Sequence, residues 1–331
     1  MSRRTEQGGY VLVTVLVAVA LLAVLAERLD RRVFGLRQAA ATWQLWVGTQ
    51  AELASAREEV LYAMVTRPLT HTGFGSGAAL LRVDGSPYRL PSGVWVSVQD
   101  LRGLIALAAH DPLVMAAWLA AKGVPERDIG LMLDKLADYM DNDNLRRLNG
   151  AEAPEYAAAG LAPPANDWPL SAFDVSRVLS WHDKPHLWER ASDHFSVLRD
   201  GWLNPNTAPP EILRVLPGAT AEGVGRLLTL RRDRPVTDAQ ALLAISGIRL
   251  PDDPVSFFPS TFYRLRLWKP GSPGVQEYTV MLNPGGEKLP WLILEFRQIP
   301  QSAQADSQVQ AEVFPSPARA ASDAALAEPA R

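Results

Sequence analysis

The chain has 331 residues, a net charge of −3 from 33 basic and 36 acidic side chains, and no cysteine. These figures exclude disulfides and thiol chemistry, and they leave no strong basic field to attract nucleic acid. The length suffices for two packed units after an N-terminal helix.

Residues 10–26 carry no charge, and Thr14 is their sole polar side chain besides Tyr10. At ~1.5 Å per residue the run spans about 25 Å, close to a bilayer core. Arg3 and Arg4 favour a cytoplasmic N-terminus, whereas Arg28, Arg31, Arg32 and Arg37 lie just beyond the span. Val24-Leu25-Ala26 has the small-residue pattern of a cleavage site, so a secreted protein with a cleaved signal peptide is one reading. The residues beyond Ala26 favour a retained helix. Residues 27–67 hold no proline. Apolar residues recur at helical spacing through Leu29, Val33, Leu36, Trp43, Trp46, Val47, Leu53, Val60, Leu61 and Met64, until Pro68 ends the pattern. The expectation is one membrane-anchored helix over 10–67.

Residues 68–100 read as short strands at 79–83, 88–90 and 94–98, split by turns at Asp84-Gly85 and Pro91-Ser92-Gly93. The glycine-rich stretch 73–77 lacks the Gly-Lys-Ser/Thr ending of a phosphate loop. From 101 to 257 the period becomes helical. Leu101, Leu104, Ile105 and Leu107 predict one helix, 113–121 a second, and 125–140 a third with Ile129, Leu133, Leu136 and Met140 inward. Further helices are expected at 172–180 and 211–216. Strands return at 261–268, 275–282 and 289–299, separated by Gly/Pro turns, which suggests an antiparallel meander within 258–300. The tail 301–331, rich in Ala, Ser, Gln and Pro, is expected to be disordered. The fold class is α+β: a long N-terminal transmembrane helix packed on an antiparallel sheet, with a large all-α insertion domain.

Three groupings could carry chemistry. Asp138, Asp141, Asp143 and Glu152 crowd one turn, and clustered carboxylates suit a hard cation such as calcium. Asp141, Asp143 and Glu152 stand at positions 1, 3 and 12 of an EF-hand count, but Leu145 and Arg146 at positions 5 and 6 exclude that motif. The competing reading is a helix end followed by a solvated loop. In 204–250, Thr207 is placed to cap a helix opening with prolines, and Pro217-Gly218 forces a turn. That segment is similar to helix-hairpin-helix modules, which makes an exported, membrane-anchored DNA-binding protein the rival function. Its hairpin reads Gly218-Ala219-Thr220, without the usual second glycine, and six Arg against four acids is a mild excess. His182, Asp183, His186, Asp193 and His194 could suggest a metal site, with His182 and His186 on one face of a helix, but Pro185 interrupts the stretch and no His-Glu-x-x-His motif is present. No Gly-x-Ser-x-Gly elbow or Cys nucleophile is present, so nothing points to an enzyme.

The strings Gln7-Gly-Gly-Tyr-Val-Leu-Val-Thr-Val-Leu16, Asp138 through Glu152 and Leu203-Asn-Pro-Asn-Thr-Ala-Pro-Pro-Glu-Ile-Leu213 together resemble the K-type minor pseudopilin of the bacterial type II (general) secretion system. The resemblance covers most of residues 1–300. It implies a pilin-like fold, a leader of residues 1–9, cleavage between Gly9 and Tyr10 by a prepilin peptidase, and N-methylation of Tyr10. Ordinary pilins carry Glu at the fifth mature position; here it is the neutral Thr14, which the resemblance ties to the filament tip. It also implies bound calcium, at Asp141, Asp143 and Glu152 with Asp138 as a further candidate. The implied partners are other minor pseudopilins, the major pseudopilin, the inner-membrane secretion platform and secreted exoproteins. The implied location is the inner membrane, single-pass, with the globular part in the periplasm. The implied task is a non-enzymatic one, to cap the pseudopilus tip and help initiate its assembly for export across the outer membrane.

Overall fold

With no proline to remove a donor, backbone hydrogen bonding runs without a break through α1, Gly8–Thr66. Gly35 and Gly48 interrupt only its side-chain surface. The computed structural model describes residues 8–250, 256–272, 274–283, 289–300 and 311–315. They divide into two units, 1–55 and 56–331.

The first unit is the helix alone, long and apolar enough to cross a membrane once. Its apolar side chains from Tyr10 to Leu25 are all exposed. Polar groups on it are satisfied locally. The Thr14 hydroxyl donates to the Tyr10 carbonyl at 2.9 Å, and Arg31 pairs with Glu27 one turn away.

The second unit begins with the last turns of α1, which bury Ala56, Val60, Leu61, Ala63 and Met64. Strands β1 (Gly73–Phe74), β2 (Leu81–Arg82), β3 (Asp84–Arg89), β4 (Trp95–Asp100) and β5 (Ile105–Ala106) come after it. Next is a helical block of α2 (Pro112–Ala121), α3 (Glu126–Met140), α4 (Ala153–Ala158), α5 (Pro185–Trp188) and α6 (Ala191–His194). After β6 (Phe195–Ser196) it continues with α7 (Pro210–Arg214), α8 (Ala221–Leu230) and α9 (Ala239–Ser246). Strands β7 (Phe262–Trp268), β8 (Gly274–Leu282), β9 (Trp291–Pro300) and β10 (Glu312–Val313) complete the order.

The main sheet runs β10-β3-β4-β7-β8-β9, antiparallel except for the β10–β3 pair. Because β4 and β7 are neighbours, the whole helical block is an insertion between two paired strands. The class is therefore α+β with a helical insertion. Strand alternation sorts side chains by face. Val96 and Val98 stand opposite Leu267 and Leu265, and Tyr278 opposite Leu265, on a buried apolar face. The end of α1 lies on this side, where the Arg57 guanidinium stands 5.2 Å from the Tyr278 ring centre. The other face is polar and meets the insertion. Arg266 reaches Asp193 and Glu277, both at 2.6 Å, and Ser192 donates to Glu277 at 3.0 Å. Burial opposes the Asp193 charge, but the guanidiniums of Arg266, Arg264 and Arg190 win and hold its carboxyl well below the usual range.

The insertion has its own core. Trp118 and Trp181 stack at 6.4 Å, and Phe195 meets Trp118 edge-on at 4.6 Å. The Trp181 indole N–H finds the Met132 carbonyl at 3.1 Å, so its polar atom is not left unpaired. Each large side chain withdrawn from water contributes about 2–3 kcal/mol.

Several expectations are corrected. Residues 101–107 are not a helix but one 3₁₀ turn, Leu101–Gly103, followed by β5 paired in parallel with β6. The Asp100 carboxylate accepts from the Arg102 N–H and Gly103 lies against the Thr207 carbonyl, where a Cβ would meet that oxygen at 2.6 Å. Asp84-Gly85 is not a turn but the start of β3, at a register shift that Gly85 absorbs with φ +82°. The turn at 91–93 is present, closed by Gly93 N–H on the Leu90 carbonyl. The helix expected at 172–180 is a shorter 3₁₀ segment, Ala172–Arg177. In the tail, residues 311–315 are ordered: β10 pairs with β3, and Phe314 is buried beside Tyr88. Phe314 and Pro315 are its buried residues, while Val313 is exposed; residues 301–310 and 316–331 lie outside the described residues.

Candidate functional site

Helix α3 ends at Met140 because Asp141 leaves the helical region, at ψ 166°, while its N–H still bonds the Ala137 carbonyl. The chain then loops back over the last turn of α3 and re-enters a helix at Glu152, the N-cap of α4. The Glu155 side chain accepts the Glu152 N–H at 2.9 Å and so locks this entry. Asp141, Asp143 and Glu152 each bring one carboxylate oxygen within 4.8 Å of the others. Among the described residues they form the one group of three or more acids, histidines or cysteines so placed.

The three acids are unequal. Glu152 is 4% exposed, and its carboxylate meets at most the Glu155 N–H of its own helix entry, with no side-chain donor on either oxygen. Asp141 Oδ1 is also buried without a partner. Asp143 is exposed, and its Oδ1 accepts the Leu145 N–H at 2.7 Å. Burial, then the charges of Asp138, Asp141 and Asp143, push the Glu152 carboxyl up. A buried carboxylate without a side-chain donor, beside two more acids, is an unfavourable arrangement that a bound cation would complete. All-oxygen donors fit calcium better than a soft metal.

Asp138 lies outside this group of three and has partners of its own. It is fully buried, and Arg147 occupies both its oxygens, with Nη1 on Oδ1 at 2.6 Å and the backbone N–H on Oδ2 at 3.1 Å. Arg147 also pairs with Asp141. Gly150 permits this approach, since a Cβ there would sit 1.8 Å from Asp138 Oδ2. Arg147 as counter-ion and Gly150 as spacer escaped sequence reasoning. The signal for both is the run Arg147-Leu-Asn-Gly150 between the acids. A cleft of about 470 Å³ adjoins the cluster, lined by Met140, Asp141, Arg147 and Trp168 among others.

Thr207 does not cap α7. The N-cap is Pro209, and the Thr207 hydroxyl donates instead to Asp100 at 2.7 Å. Asp100, fully buried, also accepts from Asn204 Nδ2 at 3.3 Å, from the Ser260 N–H at 2.9 Å and from its hydroxyl at 2.8 Å. Asn206 exchanges two 2.8 Å bonds with the Val236 backbone. The Asn-Pro-Asn-Thr string is thus a polar knot tying the insertion to the end of β4.

The hairpin near Gly218 is turned inward. Gly218, at φ +78°, faces the Gly247 carbonyl, where a Cβ would meet it at 2.4 Å, and the Arg249 N–H bonds the Pro217 carbonyl. Arg231 is buried on the Pro205 and Ala208 carbonyls, and Arg226 pairs with Glu222. Arg214, Arg232, Arg234 and Arg249 stay exposed, so what counts against the DNA reading is the inward-facing hairpin and not a want of basic side chains. The histidines also stay apart: His194 packs against Trp118, 3.6 Å from Glu211, while His182 lies by Asp183. Gly9 and Tyr10 lie in the first turns of α1 with Thr14 one turn on; residues 1–7 are outside the described residues.

No protein-family model matches the chain. No curated protein matches it by sequence either. Among solved structures, the chain superposes on one from the crystal structure of the GspK-GspI-GspJ complex of the enterotoxigenic Escherichia coli Type 2 Secretion System. The TM-score is 0.54 at 16% identity, over 79% of this chain and 99% of that one. At that identity the likeness is one of fold.

Proposed function

We propose that this chain is a K-type minor pseudopilin of a type II secretion system, anchored in the bacterial inner membrane with its globular part in the periplasm. Its task is structural, not enzymatic: it caps the pseudopilus tip, helps start assembly and joins other minor pseudopilins. The observation that carries the reading is the fold: 79% of this chain superposes on 99% of a chain from a pseudopilin complex, and the chain also has an apolar helix long enough to cross a membrane. Thr14 supports the tip position. Its hydroxyl is satisfied by its own helix, so nothing at that depth calls for a neighbour's charge, whereas an unpaired acid in lipid would be costly.

Calcium belongs to the same proposal. Asp141, Asp143 and Glu152 would hold it, Arg147 would neutralise Asp138 behind them, and the ion would supply the positive charge that the buried Glu152 oxygens lack. It would brace the loop between α3 and α4. The test of the assembly reading is the mass of the mature N-terminus from a bacterial membrane fraction. A chain starting at methylated Tyr10 is expected; a start at Glu27 would make this a secreted protein and end the proposal.

A further inference from the structure

The two edges of the main sheet are treated differently. At one edge β3 is covered by β10, two residues long, with Phe314 tucked beside Tyr88. At the other, β9 is ten residues long and pairs with β8 alone among the described residues. Ile293, Leu294 and Phe296 on it are 42%, 52% and 54% exposed. Long apolar edges are ordinarily guarded by lysine, proline or an inward charge. Here the two charged residues of β9 are turned away from that duty. Glu295 and Arg297 pair with each other at 2.5 Å, both bond the Ser171 hydroxyl, and Arg297 covers the Phe173 ring at 4.2 Å. A register shift leaves Leu294 as the extra residue between Ile293 and Glu295, so even the bulge presents an apolar side chain. The polar face of the strand is clamped by the insertion, and Phe296 lies on Tyr278 at 4.9 Å.

We propose that the outer edge of β9 is a docking edge that accepts an extended strand from a second pilin-like subunit. The inference rests on the pseudopilin reading and names where such a partner binds. Strand addition supplies backbone hydrogen bonds, and alternate side chains supply the selection. The partner strand therefore carries apolar residues on the side facing Ile293 and Phe296. Register places these two opposite Val280 and Tyr278, on the same sheet face as the end of α1. A subunit anchored in the same membrane meets that face at high effective concentration, so a single pairing strand is sufficient. A soluble exported protein has no such advantage.

The chain has no cysteine, so Leu294→Cys in the full-length protein gives one labelling position for a benzophenone maleimide. Illumination in bacterial membranes is expected to give one adduct, identified by mass spectrometry as a pilin-like subunit. Leu294→Lys is expected to lower recovery of that subunit about tenfold, the effect of ~1.4 kcal/mol, with the melting temperature unchanged. An adduct with a second copy of this chain, with a secreted protein or with lipid alone overturns the proposal, as does full recovery with Leu294→Lys. If the unaltered chain recovers no pilin-like subunit, the pseudopilin reading itself falls and takes the docking edge with it.

Discussion

Asp100 and Glu152 are two buried carboxylates in one domain, and they are treated in opposite ways. Asp100 accepts from Thr207, Asn204, Arg102 and twice from Ser260. The Glu152 carboxylate has no side-chain donor and at most the Glu155 N–H. Burial pushes both carboxyls up. For Asp100 the hydrogen bonds pull the other way, whereas for Glu152 the neighbouring acids add to the push. A buried polar group with all its partners specifies a structure; one short of them is a demand on something outside the chain. The first site is complete when the chain folds. The second would become complete on binding the proposed cation.

The largest effect expected from this contrast is at the complete site. Asp100→Ala strands the donors of Thr207, Asn204 and Ser260 together, and unfolding followed by tryptophan fluorescence is expected to show a loss of about 3–5 kcal/mol. A loss below ~1 kcal/mol would mean that the knot holds nothing. At the incomplete site, calcium at a hundredfold excess over its dissociation constant is expected to stabilise by about 2.7 kcal/mol, reversed by a chelator. Glu152→Gln is expected to abolish that gain. The same variant gives a pH test. A carboxyl raised in the folded state above its unfolded value, ~4.3 for Glu, favours the fold below that value and loses the advantage as pH rises through the folded one. In chelator at pH 7, Glu152→Gln should therefore melt above the unaltered protein, and the gap should close on acidification. An unchanged gap would show that Glu152 is not strained. The smallest effect is at the spacer. Gly150→Ala forces Asp138 or the loop aside, for a loss of about 1–3 kcal/mol with calcium affinity weakened in proportion.

Much of this was legible in the residues. α1 comes from 59 residues, mostly good helix formers, with no proline, and β7 and β8 from alternation such as Tyr263, Leu265 and Leu267. What misled was local chemistry overruled at a distance. Leu101, Leu104 and Ile105 have helical spacing, but Asp100 and Thr207, far apart in sequence, pin the backbone into a 3₁₀ turn and a short strand. Thr207 has the form of a cap, yet its hydroxyl serves Asp100. The acids of the candidate site could be read because they lie within one loop. The division of labour between Asp138 and Glu152 could not, since it depends on which carboxylate Arg147 reaches.

The return of residues 311–315 to the start of the sheet has a practical side. Arg67, just past the end of α1, donates to the Pro315 carbonyl at 2.6 Å and stacks over Phe314 at 5.7 Å. Truncation at Pro300, the natural choice for anyone trimming a low-complexity tail, would uncover Tyr88 and strip β3 of its neighbour. The shortened protein would carry open strands on both sides of its sheet and tend to polymerise edge to edge.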